Sequence, residues 1–127
     1  MISFDNFSPS GTSPIYLQLV MHIKRGAAAG TVNNGDELPS RRVLSALLGI
    51  NPNTVQKAFK ILEDEELIES RSGAKSTMLL DDAKRARLKA ELLNEDIKGI
   101  VMSLKSTGIG MDEALKLIEK SWEEVQI

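Results

Sequence analysis

No cysteine occurs in the 127 residues, which excludes disulfides, zinc–thiolate sites and a thiol nucleophile and fits a reducing compartment. Aromatic residues make up only 4% of the chain, so a core has to be built from Leu, Ile, Val, Ala and Met. The single histidine, His22, has no second histidine and no carboxylate pair at ligand spacing. A surface or interface role is therefore expected for it, not a metal or catalytic one. No apolar run approaches the roughly 20 residues needed to span a bilayer. Met1-Ile2-Ser3-Phe4-Asp5 lacks the basic flank and apolar stretch of a signal peptide, so a cytoplasmic chain with no membrane partner is expected.

A surplus of positive charge is also missing: 16 Lys and Arg stand against 18 Asp and Glu, a net charge of −2. Position matters more than the sum, because exposed charges more than about 8–10 Å apart are largely screened. Arg41, Arg42, Lys57, Lys60, Arg71 and Lys75 lie mid-chain, whereas the acids gather at Glu63-Asp64-Glu65-Glu66 and along the tail. A molecule acidic overall can thus present one basic face. What is present is ordinary for a folded protein, with 42% apolar and 27% charged residues. The length suits one compact domain with an appendage.

Residues 1–13 are polar and aperiodic, which predicts a flexible arm with Ile2, Phe4 and Phe7 as its docking points. Ser13-Pro14 is a helix start, with Ser at the cap and Pro in the first position. Ile15, Leu19, Ile23 and Ala27 then form one stripe, closed by Gly30. Ser40 caps a second helix from Arg41 to Leu48, with Val43, Leu44, Leu47 and Leu48 as its expected buried side. Gly49 ends it, and Asn51-Pro52 starts a third helix in which Val55, Phe59 and Leu62 turn inward. Two helices joined by a tight glycine turn form a helix-turn-helix.

Beyond Glu66 the period changes. Leu67-Ile68-Glu69-Ser70 and Thr77-Met78-Leu79-Leu80 are strand candidates around a Gly-containing turn, which predicts a hairpin, or wing. From Asp81 the helical period returns, with Leu88, Leu92, Ile97, Ile100, Val101 and Leu104 as one stripe. Gly108-Ile109-Gly110 breaks it, and Met111, Ala114, Leu115, Ile118, Trp122 and Val125 form another. Two such helices enclose little core between them, so a second copy of the chain is the economical cover. Leu92, Ile97, Ile100, Val101, Leu104, Leu115, Ile118 and Trp122 are the expected dimer interface. The fold class is therefore mainly α with a small β-hairpin: an arm at 1–13, a winged helix-turn-helix at 14–80 and a two-helix dimerisation tail at 81–127.

The chemistry concentrates at the start of the third helix. There Asn53, Thr54 and Gln56 carry the donors and acceptors that read base edges, and Lys57 carries charge. The helix N-terminus itself also favours a phosphate. The runs Pro14-Ile15-Tyr16-Leu17-Gln18-Leu19, Gly35-Asp36-Glu37-Leu38-Pro39-Ser40-Arg41-Arg42-Val43-Leu44 and Gly49-Ile50-Asn51-Pro52-Asn53-Thr54-Val55-Gln56-Lys57-Ala58 occur in order. In these motifs, over residues 14 to about 78, the chain resembles the GntR family of bacterial repressors, and its short tail is similar to the YtrA branch. The resemblance implies that Arg42 supports DNA contact from the second helix. It places Asn53, Thr54, Gln56 and Lys57 at recognition positions and Gly73 at the wing tip. It also implies control of neighbouring genes for ATP-driven membrane transporters. Gly73-Ala74-Lys75-Ser76-Thr77-Met78 departs from the family's Gly-x-Gly-Thr-aromatic-Val, since Lys75 replaces a glycine and Thr77 an aromatic.

The expected function is a sequence-specific, dimeric DNA-binding repressor of an inverted-repeat operator. Arg41, Arg42, Lys57, Lys60, Arg71 and Lys75 are its expected phosphate contacts, and binding is expected to fall steeply with salt. Arg41 is included only for its adjacent charge. The competing reading is a winged-helix protein-interaction module without DNA, which the acidic net charge favours. Asp81-Asp82 and Asp112-Glu113 sit at helix starts as caps, and Gly108 and Gly110 lack the Lys-Ser/Thr of a phosphate loop. Nothing points to an enzyme or a cofactor. A small-molecule effector is compatible with the tail, and no motif encodes one.

Overall fold

A computed structural model describes residues 1–70 and 75–127. Helix α1 spans Ile15–Ala29, strand β1 Glu37–Leu38, α2 Arg41–Leu48, α3 Pro52–Asp64, β2 Ile68–Ser70, β3 Ser76–Met78, α4 Asp82–Ser106 and α5 Met111–Glu124. The predicted Arg71 and Gly73 contacts lie outside the described residues. The chain divides into two compact units, residues 1–90 and 91–127, and the division lies within α4.

In the first unit α3 is the central element, packed against α1, α2 and β2. Leu19, Ile23 and Ala27 of α1, Leu44 of α2, and Val55, Ala58, Phe59 and Leu62 of α3 close a core completed by Leu38, Leu67, Ile68, Met78 and Leu88. Pro14, not Ser13, is the α1 cap residue, and its carbonyl accepts from the amides of Leu17 and Gln18. Ser40 Oγ accepts from the Val43 amide at 3.1 Å, and Gly49 ends α2 at φ 66°, the left-handed region that favours glycine. Ser45 Oγ donates to Ile50 O at 2.6 Å across that turn, which fixes the entry into α3.

Two residues expected in the core are outside it: Val43 is 54% exposed and Leu47 64%. Along α2, about 100° per residue turns Leu44, Ser45 and Leu48 toward α3. Val43 and Leu47, one turn apart, then fall on the opposite side. The arm is less loose than its composition suggests, since Ile2 and Phe4 are buried in the same core. The Ile2 amide donates to Glu37 O at 2.8 Å, and His22 lies against the Phe4 ring with centroids 5.0 Å apart. His22 Nε2 is 3.0 Å from Ser3 O, so this histidine pins the arm.

The sheet is three-stranded and antiparallel in the order β1-β3-β2, with Ile68 opposite Met78 and Glu37 opposite Thr77. The β1 strand was not expected, and Leu79 and Leu80 lie beyond β3. Between α3 and β2 the chain makes a Schellman turn: Glu66 N donates to Glu63 O and Leu67 N to Leu62 O, both at 2.9 Å. Its left-handed position is held by Glu66 at φ 58°, where glycine is usual. Lys84 Nζ donates to Glu66 O at 2.7 Å, while the Arg85 guanidinium donates to Ala27 O and Val32 O, so the root of α4 is tied to this unit.

In the second unit Ala114 and Leu92 are the buried apolar residues among those described. The stripe expected along α4 divides. Leu88 joins the core and Leu92 is 8% exposed, which removes both from any surface left for a second copy. Leu93, Ile97, Ile100, Val101 and Met102 stay exposed, as do Met111, Leu115, Ile118 and Trp122 on α5.

Candidate nucleic-acid interface

The α3 helix starts at Asn51, whose side chain accepts from the Asn53 amide at 2.8 Å, with Pro52 in the first helical position. Burial of Val55, Ala58, Phe59 and Leu62 fixes the rotation of the helix. That leaves Asn53, Gln56, Lys57 and Lys60 exposed at three- and four-residue spacing, on one face, with Thr54 half-buried at its edge. At the helix terminus, where a phosphate was expected to be favoured, the cap engages the first amides. Asn51 already accepts from the amides of Asn53 and Thr54, and Pro52 has none to offer. Lys57 Nζ sits 5.3 Å from the centroid of the Tyr16 ring, a cation–π contact that steadies a long side chain beside the reading face.

Arg42 is exposed at the start of α2, and no ion pair holds it among the described residues. Arg41, predicted beside it, is placed differently. Its Nη2 donates to Glu63 Oε1 at 2.7 Å, and its guanidinium stacks over the Phe59 ring at 4.9 Å. The two arginines are about 100° apart around α2, so the rotation that turns Arg41 toward Glu63 of α3 leaves Arg42 exposed. Lys60 Nζ donates to Asp64 Oδ1 at 2.8 Å, and this hydrogen bond and charge raise the Lys60 pKa above the ordinary lysine value. Lys75 Nζ stands 3.8 Å from Glu37 Oε2. Both lysines are exposed, so a phosphate has access to each in exchange for its carboxylate.

Sequence reasoning missed Tyr16, Glu37, Glu63, Asp64 and Ser70. The Lys60–Asp64 pair was legible from its i,i+4 spacing. Arg41 and Glu63 stand 22 residues apart with no period to join them.

A glycine-turned helix pair that presents amides and a lysine from its second helix, followed by an antiparallel hairpin, defines a winged helix-turn-helix DNA-binding domain. Among the described residues no helix is long and apolar enough to cross a membrane. Residues 13–77 match the family of bacterial regulatory proteins designated gntR. The chain is 31% identical over 128 residues to the HTH-type transcriptional repressor YtrA of Bacillus subtilis strain 168, covering 99% of this chain and 95% of that protein. Among solved structures, a GntR family transcriptional regulator from Listeria monocytogenes superposes with a TM-score of 0.78 at 27% identity, over 88% of this chain and 98% of that one. YtrA from Sulfolobus acidocaldarius, a GntR-family transcription factor, gives a TM-score of 0.51 at 28% identity, with 98% of each chain covered. The chain belongs to the GntR family and is similar to its YtrA branch. It is a DNA-binding transcription regulator, which sets aside the interaction-module reading, and its relatives are regulators, not enzymes.

Proposed function

We propose that this regulator is a repressor that binds an inverted-repeat operator as a homodimer. The observation that carries the DNA-reading half is the outward row Asn53, Gln56 and Lys57 on a helix whose other side is locked by Val55, Phe59 and Leu62. Asn53, Thr54 and Gln56 suit base edges, while Arg42 and Lys57 suit phosphate. Lys60 and Lys75 join them by giving up carboxylate partners, Arg71 stays an expected phosphate contact by its charge, and Gly73 keeps the wing-tip place the family resemblance gives it. Arg41 leaves the set, because Glu63 and Phe59 hold it.

The dimer half is supported by the exposed Ile97, Ile100 and Val101 on α4 and Leu115, Ile118 and Trp122 on α5, with Leu104 half-buried beside them. Isolated apolar side chains are common on surfaces, but contiguous exposed apolar patches mark interfaces. The repressor sense follows the named relative from Bacillus subtilis.

The test is selection of bound sequences from a random duplex pool with the full chain. The expected product is an inverted repeat with half-sites about one helical turn apart. Recovery of a single unrepeated half-site would break the dimer reading, and no enrichment would break the operator reading.

A further inference from the structure

Four cations around the recognition helix are paired with acids, whereas Arg42 and Lys57 have no ion pair among the described residues. Arg41 meets Glu63, Lys60 meets Asp64, Lys24 meets Glu65 at 2.8 Å, and Lys75 meets Glu37. The Arg41–Glu63 pair is more covered than two of the others: its side chains are 27% and 31% exposed, against 65% and 59% for Lys60–Asp64 and 73% and 45% for Lys75–Glu37. Lys24–Glu65 is partly covered as well. The Arg41–Glu63 pair also reaches further. Glu63 Oε1 accepts from Ser70 Oγ at 2.6 Å, and Ser70 Oγ lies 3.1 Å from the buried Ser76 Oγ. One carboxylate on α3 therefore joins the start of α2 to both strands of the hairpin.

We propose that Glu63 is a specificity-determining residue that keeps the Arg41 guanidinium off phosphate and holds the hairpin root in register with the recognition helix. Affinity for DNA of any sequence comes almost entirely from cations that displace counterions from phosphates. A guanidinium already neutralised by a carboxylate adds little to that term. Its transfer to a phosphate would strand Glu63 with Ser70 as its remaining donor among the described residues. On random duplex the protein samples every register, so a freed Arg41 finds a phosphate. On the operator, base contacts fix the register, and the Glu63 bridge keeps α2, α3 and the hairpin aligned with them. Removing the carboxylate thus strengthens random binding and narrows the gap between operator and random sequence. The net charge of −2 on a DNA-binding chain fits the same design, with acids set to hold cations back.

This rests on the operator reading above, and the test separates the two. The full-length chain is titrated by fluorescence anisotropy against a mixed-sequence duplex and the duplex recovered by selection, across a range of salt. Glu63→Gln is expected to bind the mixed duplex several-fold more tightly, with its log–log salt slope steeper by about 0.9, the share of one phosphate contact. The operator-to-random ratio falls. Arg41→Gln/Glu63→Gln abolishes the gain. Folded Glu63→Gln with unchanged or weaker mixed-duplex binding overturns the proposal. Arg41→Gln decides the matter even where Glu63→Gln does not fold: its mixed-duplex slope is expected to match the native slope, and one flatter by about 0.9 means Arg41 already sits on phosphate. A native chain with equal affinity for both duplexes sinks the operator reading instead.

Discussion

The two units of this chain use apolar residues in opposite ways. In residues 1–90 they meet one another: Phe59, Leu19, Ile23, Leu44 and Leu62 are essentially sealed, and even the arm contributes Ile2 and Phe4. In residues 91–127 they face outward, with Trp122 78% exposed and Ile118 40% exposed, and only Leu92 and Ala114 are buried. A sealed core supplies its own stability, whereas an open apolar face is stable only when something covers it. The first unit is thus built to hold a shape that reads DNA, and the second leaves open the face on which we propose that a second copy docks.

The largest expected effect lies in the sealed unit. Phe59→Ala removes a ring that packs in the core and carries the Arg41 guanidinium, so unfolding free energy should fall by about 3–5 kcal/mol in urea titration. Trp122→Ala in the open unit should leave the urea midpoint of the dilute, dissociated chain almost unchanged. Equal losses for the two would erase the distinction between the units.

Next comes the open face. Ile118→Asp places a charge where a second copy is expected, and dimerisation measured by sedimentation equilibrium should weaken by about 2–4 kcal/mol, the range of interface hot spots. The helical content of the variant should stay native. Undiminished self-association would show that α5 is not the covered surface.

How far the sequence reached can be judged from particular residues. The stripe Leu19, Ile23 and Ala27, the Ser40 and Asn51 caps, the Gly49 turn and the Gly108–Gly110 break are local signals, and each marks a feature the structure contains. Features that depend on distant partners were hidden. The two residues of β1 show no alternation and become a strand only through pairing with β3. Val43 and Leu47 look like core residues because apolar side chains occupy both sides of α2, and only the position of α3 decides which side is covered. At the interface the exposed amides were legible from helical spacing, but the pairing of Arg41 with Glu63 was not. A charge count treats a held cation and a free one alike.

Within the first unit the inner and outer faces of α3 can be set against each other. Gln56→Ala removes an exposed amide without touching Val55 or Phe59, so stability should hold. Operator affinity should fall by about 1–3 kcal/mol, with relaxed preference at one base pair in competition binding. Uniform weakening across all variant sites would make Gln56 a phosphate-side contact instead of a reader.

A smaller effect, of opposite sign, is expected at the Schellman turn. Glu66 holds a left-handed conformation at φ 58°, which costs an L-residue about 1–2 kcal/mol relative to glycine. Glu66→Gly keeps the backbone carbonyl that Lys84 grips, so the variant should gain up to about 1 kcal/mol after the added freedom of its unfolded chain is offset. A lower urea midpoint would show that the Glu66 side chain stabilises the turn in some further way.

The least effect is expected from Lys60 and Asp64, and the reason bears on how this surface works. The Asp64 hydrogen bond and charge raise the Lys60 pKa against an opposing desolvation, with a lesser contribution from the Glu63 charge. A raised lysine pKa adds stability that is fully present below the unfolded value and lost only as pH climbs through the folded one. Between pH 6 and 9, therefore, Asp64→Asn and the native chain should show parallel thermal midpoints, separated by little, because both partners are well exposed and water screens the pair. The exchange that matters is with phosphate: in Asp64→Asn, Lys60 is released without disturbing the hairpin root. Random-duplex affinity should then rise modestly with little change in the operator-to-random ratio, unlike the fall expected at Glu63. If Asp64→Asn lowers that ratio as far as Glu63→Gln does, the covered bridge to Ser70 has no special part in specificity, and charge alone accounts for both.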